Sequence, residues 1–159
     1  MFDIKYKKTT FSIHKVVKKI VSLLSYKANN KGVLFPTFIG SPTQYIEGMF
    51  DDVFTAVFTI IDNAIKYSET GQNINIFFEE DIKNSRVILS IENNSREILA
   101  NEIEHIHEKG YRGSNKTPKG KGLGLYIVKT ICDKNSIRYC AKYEKRKFIY
   151  SFEFKAVKH

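Results

Sequence analysis

The amino-acid sequence predicts an α+β fold: a two-layer sandwich of a mixed, mostly antiparallel sheet with helices on one face. Three observations point there. Two long segments carry apolar residues at helical spacing. Four short segments alternate like strands and fall into two hairpin-like pairs. The helices and strands follow one another in an order that suits antiparallel pairing.

The first helix is expected over residues 13 to 24 (IHKVVKKIVSLL), where Ile13, Val16, Val17, Ile20, Leu23 and Leu24 form one stripe. Ser12 can cap its start, and Gly32 lies just beyond its expected end. Residues 33 to 39 (VLFPTFI) read as extended, with Pro36 limiting them to an edge or interrupted strand. A second helix from about Ile46 to Tyr67 places Phe50, Val53, Phe54, Val57, Phe58, Ile61 and Ile65 three and four residues apart, and should be the most buried. After a turn at 69–71, residues 73 to 79 and 86 to 92 alternate as strands joined by Lys83, Asn84 and Ser85. A short helix over 99–107 leads to a long mobile loop, 108–121, punctuated by Gly110, Gly113, Pro118 and Gly120. A helix from Leu123 to about Lys134 and strands near 137–144 and 147–156 complete the chain.

At 159 residues the chain suits a single domain, residues 1–159, with no internal repeat. Its 42% hydrophobic and 27% charged content is that of a soluble globular protein. The longest apolar run, Val53 to Ile61, is half of the ~20 residues a membrane helix needs, so no direct membrane contact is expected. The N-terminus lacks the apolar core of a secretory signal. Cys132 and Cys140 fit no metal or redox spacing and read as reduced core or near-core thiols in a cytoplasmic setting. The net charge of +9 raises the question of a polyanionic partner. The lysines are dispersed, however, and Lys15, Lys18 and Lys19 suit the wet face of a helix, so no nucleic acid is expected.

Two stretches carry chemistry. Gly120, Gly122 and Gly124 stand at alternate positions and run into the helix Leu125-Tyr126-Ile127-Val128. Bare backbone N–H groups at a helix N-terminus suit a phosphate. The spacing is neither a dinucleotide fingerprint nor a Walker loop. The other stretch, Asp62 to Ser68, ends the most buried helix. Asn63, Lys66 and Tyr67 fall there at i, i+3 and i+4, on one helix edge. An amide oxygen beside an ammonium suits Mg²⁺ and phosphate oxygens.

Together these stretches resemble the ATP-binding domain of sensor histidine kinases and the wider GHKL, or Bergerat-fold, ATPases. Asp62 to Ser68 is similar to the family's N box, D-N-A-x-K-Y-S, and Gly120 to Lys129 to its second glycine box, G-x-G-L-G-L-x-I-V-K. Ile106 to Gly113 resembles the F box, I-F-E-x-x-Y-R-G, with His107 in place of the phenylalanine. The resemblance implies ATP and Mg²⁺ as cofactors, with Asn63 as the Mg²⁺ ligand and Lys66 and Tyr67 facing phosphates or ribose. It gives backbone contacts to Gly120, Gly122 and Gly124, with Leu123 and Leu125 between and beside them. Arg112, Lys119 and Lys121 would make a basic lid, and Asn93 would meet the adenine. The phosphoryl group would pass to a histidine on a separate dimerisation domain, and from there to a response regulator. No histidine of this chain suits the acceptor role.

The family's first glycine box, D-x-G-x-G-I, is the departure. Asn93-Asn94-Ser95-Arg96-Glu97-Ile98 keeps only the isoleucine. Exchanging the aspartate for Asn93 costs roughly 1 kcal/mol. If Ser95 or Glu97 requires positive φ, each adds about 1–2 kcal/mol. An eroded box admits an alternative, a degenerate pseudokinase or nucleotide-sensing module. A GHKL ATPase or anti-sigma-type serine kinase is the third reading, and fits the lid pattern less well.

Overall fold

The computed structural model describes residues 7–35, 38–40, 42–95, 100–110 and 123–157. Ten elements follow in order: β1 (Thr9–Phe11), α1 (Ile13–Lys31), β2 (Tyr45–Gly48), α2 (Phe50–Tyr67), β3 (Ile74–Asp81), β4 (Arg86–Asn94), α3 (Ala100–His105), α4 (Gly124–Lys134), β5 (Arg138–Glu144) and β6 (Lys147–Val157). The strands form one sheet in the order β1-β2-β6-β4-β3, and β5 pairs with β6 as well. All of these pairings are antiparallel. Among the described residues, the parallel component of the expected mixed sheet is confined to two isolated bridges, Leu34 with Asn73 and Ile39 with Phe77, beside β3. The extended reading of residues 33–39 is met at Leu34 and Ile39, while Pro36 lies outside the described residues.

Register explains where the core sits. Opposite residues in antiparallel strands share a face, giving cross-strand rows Phe78–Leu89–Phe152 and Ile76–Ile91–Tyr150. These side chains are buried, together with Val17 and Ile20 of α1, Val57 and Ile61 of α2, and Val128 and Cys132 of α4. The next row, Ile74–Asn93–Phe148, places a polar residue at the end of the buried face.

Helix α1 is bounded as its caps dictate. Ser12 Oγ accepts from the Lys15 N–H at 3.3 Å. At the other end Gly32 sits at φ +75, its N–H donating to Asn29 O and the Val33 N–H to Ala28 O. This is a Schellman closure, with Val33 and Ala28 both buried beneath it.

Three expectations need correction. Leu23 does not join the α1 stripe and is 58% exposed, because Leu24 and Ala28 continue the buried line from Ile20 at i+4 and i+8. The second helix begins at Phe50, not near Ile46. Residues 45–48 form β2, in which Ile46 and Gly48 are buried and Ile46 pairs with Ala156. Ile46 and Phe50 stand four apart, so helical and extended readings coincide there. Met49 also makes no side-chain cap that would mark the boundary. Finally, Cys140 is exposed on β5 while Cys132 is fully buried, and both are free thiols. Residues 111–121 of the expected lid lie outside the described residues, as does Glu97.

Candidate nucleotide site

Helices α2 and α4 pack with the end of one beside the start of the other. At one end Asp52 of α2 holds the end of α4, accepting from Asn135 Nδ2 at 2.9 Å and pairing with Lys134 Nζ at 3.4 Å. At the other end Gly124 lies against Thr59 and Asn63. A Cβ on Gly124 would be 3.2 Å from the Thr59 methyl, 3.5 Å from Asn63 Nδ2 and 3.8 Å from Asn63 Oδ1. The polar end of α2 and the start of α4 therefore converge. Gly124 is small because another helix approaches it, a reason distinct from the phosphate contact its motif implies.

Leu123 precedes α4 at φ −98, ψ −23 without a side-chain cap, and the first bond of the helix runs from Ile127 N–H to Leu123 O at 2.9 Å. The N–H groups of Gly124, Leu125 and Tyr126 thus have no carbonyl one turn back within the helix. They point out of the same end that Asn63 borders, where the helix also carries partial positive charge.

The remaining residues of the α2 motif divide between two edges. Asn63 and Thr59, one turn apart, face α4. Asp62 faces α1 and takes Lys27 as an ion-pair partner, with Lys66 Nζ at 3.3 Å from its other oxygen. Lys31 of α1 donates to the Lys66 carbonyl at 2.8 Å. Lys66 is accordingly turned toward α1, away from Gly124, and Tyr67 is partly exposed at the helix end. Ser68 is buried and its hydroxyl donates to Ala64 O, closing the last turn.

Asn93 is buried in the last row of the sheet, with Nδ2 donating to Asn94 O at 3.3 Å. Ser95, just beyond, donates its N–H to Arg146 O at 3.0 Å and accepts at its carbonyl from the Tyr143 hydroxyl at 3.3 Å. The non-glycine residues with positive φ are Ser85, Ser136, Lys145 and Arg146 among those described. Ser95 therefore sits in ordinary backbone, and the left-handed penalty raised by its sequence position does not apply to it. Arg112, Lys119, Gly120, Lys121 and Gly122 lie outside the described residues. Spacing could have singled out Thr59, one turn before Asn63. Nothing in the sequence signals that Lys27 and Lys31 reach Asp62 and Lys66.

Among the described residues, no three His, Cys, Asp or Glu side chains gather in a way that could hold a metal ion. A cation here would meet one amide oxygen, that of Asn63, and otherwise the ligand's own phosphates and water. That donor set fits Mg²⁺, which keeps several waters and binds through few protein groups.

An antiparallel sheet covered on one face by helices, with the start of one helix beside an amide of another, makes an α+β two-layer sandwich. Residues 48–157 match the model of the histidine kinase-, DNA gyrase B-, and HSP90-like ATPase family, and the chain belongs to that ATP-binding family. It is 36% identical to the sensor histidine kinase YkoH of Bacillus subtilis over 86 residues, covering 52% of this chain and 18% of that protein. It is 30% identical to the sensor histidine protein kinase HK06 of Streptococcus pneumoniae over 134 residues, covering 82% of this chain and 28% of that protein. The chain thus spans less than a third of either relative. The catalytic domain of histidine kinase ThkA has the same fold, with a TM-score of 0.82 at 19% identity over 94% of this chain and 95% of that one. ThkA has also been solved in complex with the response regulator protein TrrA. No described helix is long and apolar enough to cross a membrane.

Proposed function

We propose that residues 1–159 form one catalytic unit that binds Mg-ATP between the end of α2 and the start of α4. In this reading it serves as the phosphotransfer domain of a sensor histidine kinase acting in the cytoplasm. The observation that carries the proposal is the meeting of Asn63 with Gly124. It brings a Mg²⁺-competent amide and the first backbone N–H groups of a helix to one point.

Each residue then has a role suited to its placement. The Asn63 amide oxygen would hold the cation and, through it, orient the phosphate chain. When bound, the cation would neutralise charge on the phosphoryl oxygens. The N–H groups of Gly124 and Leu125 would receive phosphate oxygens at the helix start. Asn93 would meet the adenine edge from the sheet, with both an acceptor and a donor available. Lys66 would exchange Asp62 for a phosphate oxygen or remain a positioning cation for α2. Arg112, Lys119, Gly120, Lys121, Gly122 and Leu123 would complete the enclosure. Catalysis of this kind is mostly positioning and charge neutralisation. The accepting histidine would come from a dimerisation domain, in the same polypeptide or another. A response regulator would take the phosphoryl group next, in keeping with the complex of ThkA with the response regulator protein TrrA.

The test is a titration with a fluorescent adenine nucleotide, with and without Mg²⁺, beside Asn63→Ala. Mg²⁺-dependent binding that the variant loses is the expected result. Absence of binding at millimolar nucleotide would overturn the proposal. Acid-labile phosphate on an added histidine hairpin would then distinguish a kinase from a plain ATPase.

A further inference from the structure

The segment between α3 and residue 110 runs along α4, and one of the side chains that hold it departs from the family pattern. His107 Nε2 lies 2.7 Å from the hydroxyl of Tyr150, whose side chain is fully buried in β6. A buried hydroxyl needs a partner, and His107 supplies it. The imidazole also meets Tyr139 of β5 edge-on, with ring centroids 5.1 Å apart. Two residues on, Lys109 Nζ sits 5.8 Å from the ring of Tyr126, in the first turn of α4. The segment therefore reaches from the middle of α4 to the helix start that borders Asn63. The phenylalanine of the F-box pattern could repeat the ring contacts. It could neither bond the hydroxyl nor take a proton.

We propose that His107 is a proton-sensitive positioning residue that fastens residues 105–110 along α4, so that acidification loosens this segment beside the candidate nucleotide site. Burial and the Lys129 charge make the charged form costly. Around it, α4 brings Lys129, Asp133 and the Cys132 thiol; from β5 and β6 come the hydroxyls of Tyr139 and Tyr150. Its own segment adds His105 and Glu108, which pair with each other, and Lys109. Asp133 is the one acid facing His107 from α4, and it is already bonded to Lys129 at 2.7 Å. Burial first, then the Lys129 charge, hold the imidazole below the usual histidine range, with Asp133 opposing. An unfolded histidine gains its proton before this one does. The contribution of His107 is thus complete above the ordinary histidine value and is lost as pH falls below it.

The deciding experiment is an NMR titration of the histidine rings in the full chain, with melting curves from about pH 8 to about pH 5.5 for wild type, His107→Phe and Lys129→Met. His107 should titrate below the ordinary value while His105, raised by Glu108, titrates above it. Wild type should lose several degrees more on acidification than His107→Phe. Lys129→Met, an exposed change that leaves the fold intact, should move the His107 titration upward. Titration of His107 at or above the ordinary value, or equal acid sensitivity in His107→Phe, would overturn the proposal. The functional consequence rests on the nucleotide reading: affinity should drop more on acidification in wild type than in His107→Phe. If neither protein binds nucleotide at any pH, that reading fails, and the ring titration still decides the role of His107.

Discussion

Gly124 and Asn63 meet where α4 begins and α2 ends, with room for a Cβ on Gly124 only 3.5 Å from the Asn63 amide nitrogen and 3.2 Å from the Thr59 methyl. A methyl at 124 is therefore tight without being blocked. The identity of residue 124 governs how closely the candidate cation ligand approaches the first N–H groups of α4.

Gly124→Ala should change stability little, because an overpacking cost of about 1 kcal/mol is offset by about 1 kcal/mol of helix propensity. Nucleotide affinity should fall several-fold, because α4 must shift away from Asn63. Adding Thr59→Ser removes the nearest methyl and should restore most of that affinity. Urea unfolding and nucleotide titration of the single and double variants measure both effects. Equal affinity in Gly124→Ala and wild type would separate the helix contact from binding.

Asp62 collects Lys27 and Lys66, and Lys31 lies close by on the Lys66 carbonyl. Asp62→Asn leaves these ammoniums without their counter-charge. About 1 kcal/mol of stability should be lost, the upper range for exposed pairs. Lys66 is released at the same time, so nucleotide affinity should rise a few-fold if Lys66 reaches phosphate. An unchanged affinity would show that Lys66 serves α1–α2 docking alone. The measurement is a salt-dependent nucleotide titration of the variant.

Ser95 occupies a glycine position of the family pattern, yet its backbone is ordinary and both its polar backbone groups are bonded to the β5–β6 hairpin. Ser95→Gly should therefore not improve nucleotide binding. It should lower stability by about 0.5–1 kcal/mol, through the added freedom of the unfolded chain. A tenfold gain in affinity would contradict this account and restore an eroded-site explanation.

The two thiols should differ sharply in reactivity. Burial, helped by the charge of Asp133, pushes the Cys132 thiol up to about 12. The thiolate is the nucleophile, so at about pH 8.5 Cys132 remains protonated as well as covered. Iodoacetamide followed by mass spectrometry should label exposed Cys140 in the native protein and Cys132 only in denaturant. Native labelling of Cys132 would show that α4 opens from the sheet.

Much of this molecule was legible in local pattern. Ser12 and Gly32 bracket α1 through bonds that involve only near neighbours in the chain. The alternation of Val87, Leu89 and Ile91 marks a strand with one buried face, whatever lies opposite. The motif at 62–68 singled out Asn63, the residue of that stretch which lies beside Gly124, because spacing on one helix is a local property. Local pattern did not separate β2 from α2, since Ile46 and Phe50 satisfy both periods. Pairing with Ala156, more than a hundred residues away in the chain, settles the matter. Nor could spacing divide Asn63 from Lys66, which are neighbours on an isolated helix. Only the packing of α4 against one edge and α1 against the other sets the amide beside Gly124 and brings Lys27 to the Asp62–Lys66 pair. Side-chain identity and period are written along the chain, whereas the neighbour each helix edge meets is decided by contacts between distant segments, which exist only once the sheet has closed beneath them.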